Sequence, residues 1–186
     1  MNSMSMQAPT TPPSRQRGAI LVVSLVLLLI MTILAITISQ TTRMQERMTG
    51  NARDSDLSFQ AAEAGLRRAE TFLETSASQP VACAAAGCVV YQIATPQAVL
   101  PFDLRNQIKS WWDNNAQLYS AATGQTIPGV TVQPQYVIQE LGFIPDSLTV
   151  GKGVPSGRTF YRNTAHGYGG SPAAQAVIEG TYTRRY

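Results

Sequence analysis

The sequence predicts an α+β fold: one long N-terminal helix, transmembrane and then amphipathic, packed on a small antiparallel β-sheet domain. Three observations carry this expectation. Residues Ala19–Ile38 (AILVVSLVLLLIMTILAITI) run for twenty positions without a charge, a Gly or a Pro. The stretch that follows keeps a helical period with one apolar face. The C-terminal part alternates apolar and polar residues in short runs separated by turn-forming residues.

Taken in order, Met1–Ser14 is rich in Pro, Ser and Thr without apolar periodicity, and reads as unstructured. Arg15 and Arg17 precede the apolar run, which at about 1.5 Å per residue spans about 30 Å, the thickness of a bilayer's hydrocarbon core. Basic residues ahead of the span predict a cytoplasmic N-terminus and an exported C-terminal part. Three readings compete for residues 15–38. A cleavable secretory signal has a shorter apolar stretch followed by a loop with small residues, whereas this run continues into helix-forming sequence. A signal anchor fits the length. A cut before the apolar run, at Gly18, would leave the hydrophobic helix on the mature chain.

From Gln40 to about Thr75, Met44, Met48, Ala52, Ser55, Phe59, Ala62, Leu66, Ala69 and Leu73 fall on one helical face, a stripe about 100° wide. Arg43, Arg47, Asp54 and Arg68 fall opposite. Glu63 precedes Arg67 by four residues, the favourable order for a helical ion pair. Gly50-Asn51 is the weak spot, where a gentle bend is expected, because Gly costs roughly 1 kcal/mol against Ala in a helix interior. Nothing else interrupts the pattern before Ser76–Pro80, so the predicted helix from Ala19 is about 85 Å long. Met44, Met48, Phe59, Ala62, Leu66 and Leu73 are its candidate packing face.

Residues 81–186 are expected to cover that face. Val89–Ala94 (VVYQIA) is strand-like. Asp103 is placed to cap a helix running to Asn115, with Pro101 just before it, that buries Ile108 and one of Trp111 and Trp112. Thr123–Pro134 is turn-rich. Gln135–Leu141 (QYVIQEL), Gly157–Ala165 (GRTFYRNTA) and Gln175–Tyr182 (QAVIEGTY) alternate as strands, connected by Gly142–Gly153 and His166–Pro172. A single-layer sheet with one inward face needs a helix to pack on, and the stripe supplies it. The organisation is thus residues 1–18 as leader, 19–38 as membrane segment, 39–76 as amphipathic helix and 77–186 as head domain.

Composition excludes more than it suggests. The formal charge of +3 owes two units to Arg15 and Arg17; from Ala19 onward twelve basic residues face eleven acidic ones. The high pI therefore does not imply a nucleic-acid partner. Arg184, Arg185 and Tyr186 read as a solvated chain end, not a DNA contact. Cys83 and Cys88 fall on the oxidising side of the predicted membrane, where a disulfide is favoured over free thiols. Its small loop constrains the unfolded chain little, for roughly 2 kcal/mol. A metal site lacks ligands, since His166 is the single histidine and no second Cys pair exists. His166, flanked by Gly167, Tyr168 and Gly169, reads as a turn histidine. No nucleophile–base set assembles and no phosphate-cradling loop follows a strand. The expectation is a non-enzymatic protein without cofactor or metal.

The segment RGAILVVSLVLLLIMTILAITISQTTRMQERMTGNARDSDLSFQAAEAGLRRAE closely resembles the N-terminal region of PilX-type minor pilins of type IV pili. FQAAEAGLRRAE (Phe59–Glu70) is its most family-specific part, and QAVIEGTYTRRY is similar to the family's last strand. The resemblance covers about residues 15–75 and roughly the last twenty. It implies a type IV pilin-like fold and cleavage by the prepilin peptidase between Gly18 and Ala19, with N-methylation of Ala19. The fifth mature residue is Val23, where major pilins carry a Glu that neutralises a neighbour's terminal amine inside the filament, where an unpaired charge is costly. A type II secretion minor pseudopilin that tops its complex also lacks that Glu. The departure implies a tip or priming role in place of a shaft role. The run to Thr49 also lacks the helix breaker that major pilins often carry. Implied partners are other minor pilins, the major pilin, the inner-membrane assembly machinery and a large tip adhesin. The implied location is the bacterial inner membrane before assembly and the pilus at the cell surface afterwards, serving adhesion and twitching motility. A type II secretion pseudopilin and a single-pass periplasmic binding module are the alternatives.

Overall fold

A computed structural model of the chain describes residues 17–85, 87–92, 103–146 and 156–186. The leader up to residue 16, Pro101, Ala94 and most of Gly142–Gly153 lie outside them. The elements in order are α1 (Arg17–Thr75), β1 (Val90–Gln92), α2 (Lys109–Asn115), β2 (Gln117–Leu118), α3 (Tyr119–Thr123), β3 (Gln135–Pro145), β4 (Gly157–Tyr168) and β5 (Gln175–Arg184). The chain divides into two compact units, Met1–Met48 and Thr49–Tyr186, and α1 contributes to both.

In the first unit the described residues are helical throughout, and those from Gly18 onward are exposed. This part of α1 is long and apolar enough to cross a membrane. Its hydroxyls are turned back onto the helix: Ser24 Oγ donates to the Leu21 carbonyl at 2.9 Å, Thr32 Oγ1 to Leu29 at 2.8 Å and Thr37 Oγ1 to Ile33 at 2.9 Å. The three hydroxyls of the apolar run are thus satisfied within the helix, as a hydrocarbon solvent requires.

The second unit is built on a five-stranded sheet of order β1-β3-β4-β5, with β2 also against β3. The three long strands are antiparallel, as the alternation predicts; β1 pairs with β3 in parallel, so the sheet is mixed and not purely antiparallel. Both faces are covered, where one was expected to be. On one, Tyr136 and Ile138 of β3 and Tyr161 and Ala165 of β4 pack with Ala69 and Leu73 of α1. On the other, Val137 packs with Tyr91, Leu104, Trp112 and Cys88. The second layer exists because the chain between α1 and β3 carries its own large apolar residues and must bury them somewhere.

Several boundaries differ from those expected. The segment 103–108 is not helical: the Asp103 carboxylate accepts the Arg105 backbone N–H at 2.9 Å and pairs with the Arg105 side chain, closing a local turn in place of a helix cap. Such self-pairing competes with helix for short polar side chains. The helix begins at Lys109, and Ile108, the residue before it, is 70% exposed instead of buried. Trp112 is fully buried and Trp111 only partly, with their rings 5.4 Å apart edge to face. β3 runs on through a register shift between Glu140 and Gly142 to Pro145: Leu141 is the extra residue of the bulge, and Gly142, paired with Phe160, is strand and not the start of a connection. His166–Tyr168 is strand and not turn, paired with Val177, Ala176 and Gln175.

Candidate functional site

The helix stripe is the first candidate, and the structure redraws it. Ala62, Ala69 and Leu73 are buried and Leu66 is half-buried, but Met44 and Met48 are 63% exposed and Phe59 is 52% exposed. The buried line runs instead through Ser58, Ala61, Ala62, Gly65, Ala69 and Leu73. It is made chiefly of small residues because helix and sheet backbones meet closely. A Cβ on Gly167 would lie 2.3 Å from both the Ala62 nitrogen and the Ser58 carbonyl oxygen, and one on Gly65 would press on Ala165 and Pro134 at 3.3 Å. Real Cβ atoms do not approach backbone atoms to 2.3 Å, so residue 167 must be Gly for this packing.

Asp54 and Arg68, expected on the solvent side, both turn to the head. The Asp54 carboxylate accepts the N–H of Gly170, the N–H of Ser171 at 3.2 Å and the Ser171 hydroxyl. Those bonds, the Ser171 hydroxyl foremost, hold its pKa below the usual carboxylate value. The Arg68 guanidinium donates to the Ala122 carbonyl at 3.2 Å. At the far end of the helix, the Arg184 side chain donates to the Leu73 carbonyl. Glu63 and Arg67 form the expected pair, exposed to solvent. Sequence reasoning missed Asp54 because it weighed large apolar residues. The usable signal was the recurrence of small residues at helical spacing from Ser58 to Ala69, with Asp54 one turn before them.

On the opposite layer, Cys83 and Cys88 form a disulfide, with Cα atoms 6.2 Å apart. The Cys83 N–H donates to the Val90 carbonyl at 3.0 Å, and its own carbonyl accepts the Gln92 N–H at 3.1 Å, which ties the loop to β1. Tyr91 secures it from beneath, accepting the Gly87 N–H at 2.9 Å and donating to the Asn115 carbonyl at 2.7 Å. His166 is 2% exposed, between the rings of Trp112 (5.0 Å) and Tyr168 (4.5 Å), with Nε2 3.3 Å from Gln175 Oε1. Burial holds its imidazole below the ordinary pKa, against the pull of Gln175 and Asp113. It is a packed aromatic of the core. Among the described residues no three His, Cys, Asp or Glu side chains gather as metal ligands.

At the start of α1, Gly18 and Ala19 lie on exposed helix, and Val23 is 57% exposed one turn further on. Ala19, Ile20, Val23, Ser24 and Leu27 line a shallow, wholly apolar groove. The first carboxylate along the helix is Glu46. The surface these residues present can bind lipid tails or other apolar helices, and offers no partner to a buried cation.

Residues 17–67 match the family model described as PilX N-terminal, and residues 69–184 match that of the type IV pilus assembly protein PilX C-terminal region. No curated protein and no solved structure matches the chain.

Proposed function

The chain belongs to the PilX family of type IV pilus assembly proteins, a structural and not an enzymatic family, and on that premise we propose that it is a minor pilin that primes the pilus or sits at its tip. The observation that carries this reading is Val23. α1 holds no carboxylate before Glu46, so a subunit stacked above would find nothing to neutralise its terminal amine. The chain can lie at the outermost position, where nothing is stacked above it, without that cost.

The mechanism follows from the helix. In the inner membrane, with the N-terminus cytoplasmic, the apolar half of α1 is held by burial of its side chains in lipid, worth on the order of tens of kcal/mol. Prepilin peptidase removes the leader between Gly18 and Ala19, and Ala19 is methylated. On extraction the same apolar surface is buried again against neighbouring pilin helices, which offsets most of the loss. The head then selects its neighbours, among them other minor pilins, the major pilin and a large tip adhesin, and so supports adhesion and twitching.

Two measurements test the reading together. Intact mass and N-terminal sequencing of the membrane form should give a chain beginning at methylated Ala19; a chain beginning upstream overturns the pilin mechanism. Gold labelling of purified filaments should mark ends, and even labelling along the shaft would overturn the tip role while leaving family membership intact.

A further inference from the structure

Among the described residues β5 is an edge strand. Its ten residues pair with β4 from Tyr168↔Gln175 to Thr159↔Arg184 without a register shift, and among the described residues with nothing on the other side. The opposite edge of the sheet is built differently. There β3 is flanked by the three-residue β1 and the two-residue β2, and Cys83 bridges to Tyr91 of β1. Short strands, lysines, prolines and bulges are the usual means of blunting an edge against unwanted pairing. The edge at β1 and β2 uses short strands; QAVIEGTYTR has neither Lys nor Pro, and β5 carries no bulge.

The side chains of β5 fall in two rows. Ile178 and Tyr182 face α1 and are only partly buried against the core that contains Ala69, Leu73, Tyr161 and Ala165. Between them Gly180 leaves only the Leu66 methyl groups, at 3.4 and 3.6 Å from where a Cβ would stand, and Glu70 beyond. The other row is Gln175, Val177, Glu179, Thr181 and Thr183, exposed but for Val177. Glu179 lies 3.6 Å from Arg162 of β4 and stays 43% exposed on its outer side.

We propose that β5 accepts an extended segment of a different protein as a further strand. Alternate apolar side chains of that segment complete the row of Ile178 and Tyr182, and a Lys or Arg in its other row stands opposite Glu179. Main-chain hydrogen bonds supply the affinity and the two rows fix the register. A second copy of this chain does not supply the cation. When two β5 strands pair about a two-fold axis normal to the sheet, odd positions oppose odd ones, and the odd row of β5 has no basic residue. The next cation in that row, Arg185, is held by Asp146 at 2.8 Å. The inference does not depend on where in the filament the chain sits.

The test uses the full chain in detergent micelles and two blocked ten-residue peptides that alternate Val or Tyr with Thr, one carrying a central Lys and its twin a Glu there. Hydrogen exchange read residue by residue should slow at every second amide of β5 with the Lys peptide and leave β1 unchanged. Glu179→Lys should weaken the Lys peptide about fivefold and strengthen the Glu twin by a similar factor, since a cross-strand charge pair turns from attractive to repulsive. Glu179→Gln should fall between, and keeps the test readable if the reversal harms folding. Absence of β5 protection at saturating peptide, protection confined to other elements, or equal effects of Glu179→Lys on both peptides would overturn the proposal. So would β5 protection that rises with the concentration of the chain alone, which would assign the edge to self-pairing.

Discussion

Gly167→Ala tests whether the close approach of β4 to α1 organises the head. The added Cβ would stand 2.3 Å from two backbone atoms, the Ala62 nitrogen and the Ser58 oxygen, and 3.0 Å from the Ala61 carbonyl carbon. Ordinary contact begins about a full ångström further out, and no flexible side chain can yield, so strand and helix must part by about 1 Å. A gap of that size forfeits roughly a quarter to a half of the dispersion energy along the seam. Overpacking of a well-packed core costs typically 1–3 kcal/mol; with backbone on both sides we expect the top of that range, about 3 kcal/mol. For a unit spanning Thr49–Tyr186 this lowers the thermal midpoint by about 10 °C. Circular dichroism melts of the full chain in detergent would read it. Gly180→Ala is the control, because its Cβ would meet the Leu66 methyl groups and Glu70 Oε1, all side-chain atoms at ordinary distance. Equal midpoints for Gly167→Ala and the parent chain would refute the argument that small residues set the seam.

Three further outcomes follow from the site. His166 has a folded pKa below its unfolded value, so the unfolded chain binds the extra proton first; stability should fall as pH drops below about 6.5 and level off once the folded pKa is passed. Asp113 and Lys109 face it with opposing effects, and His166→Phe should flatten that part of a urea-midpoint profile. Asp54 has a depressed pKa, so its contribution is complete above the unfolded value near 3.8 and is lost as pH falls through the lower folded value. Asp54→Asn should remove this acid limb and speed exchange of the Gly170 and Ser171 amides at neutral pH. Replacing Cys83 and Cys88 by Ser should cost about 2 kcal/mol, read as a lower urea midpoint with unchanged slope.

The sequence was most informative where one physical demand dominated. Ala19–Ile38 can only satisfy lipid or other apolar helices, and the alternating runs at 135, 157 and 175 form the three antiparallel strands, although their alternation does not disclose the second covered face. It was ambiguous where one residue type serves two ends. Glycines at 142, 167 and 169 read as turn signals, yet Gly142 is a paired strand residue beside the bulge at Leu141, with φ 150°, while Gly167 and Gly169 leave room for α1. His166 therefore looked like a turn residue and is a core one. Asp103 resembled a helix cap because the competing bond to Arg105 is invisible in a pattern of residue types. The mixed character of the sheet rests on a three-residue strand whose direction no periodicity encodes. The helical period sets Arg68 and Asp54 opposite the apolar stripe, whereas the Ala122 carbonyl and the Gly170 and Ser171 amides of the head pair with them.

The helix stripe joins these strands of argument. A helix that packed only for the stability of the unit Thr49–Tyr186 would bury Phe59, since a large apolar side chain is worth about 1.5–3 kcal/mol on burial; Met44 and Met48, in the other unit, are also exposed. This chain buries Ser58, Ala61, Gly65 and Ala69 instead and leaves the large residues in the open. The arrangement makes sense if those side chains are reserved for other subunits of a pilus. Phe59→Ser should then leave the isolated chain within about 0.5 kcal/mol of the parent, as exposed substitutions do, while lowering its recovery in sheared filaments. Leu73→Ala should do the reverse in the first assay, costing about 2–5 kcal/mol because the side chain is fully buried. If Phe59→Ser destabilises the isolated chain as much as Leu73→Ala, the residue belongs to the head's own core and its exposure has no bearing on assembly. If it changes neither stability nor recovery, the large residues are incidental, and the small-residue seam is the whole of what this half of the helix contributes.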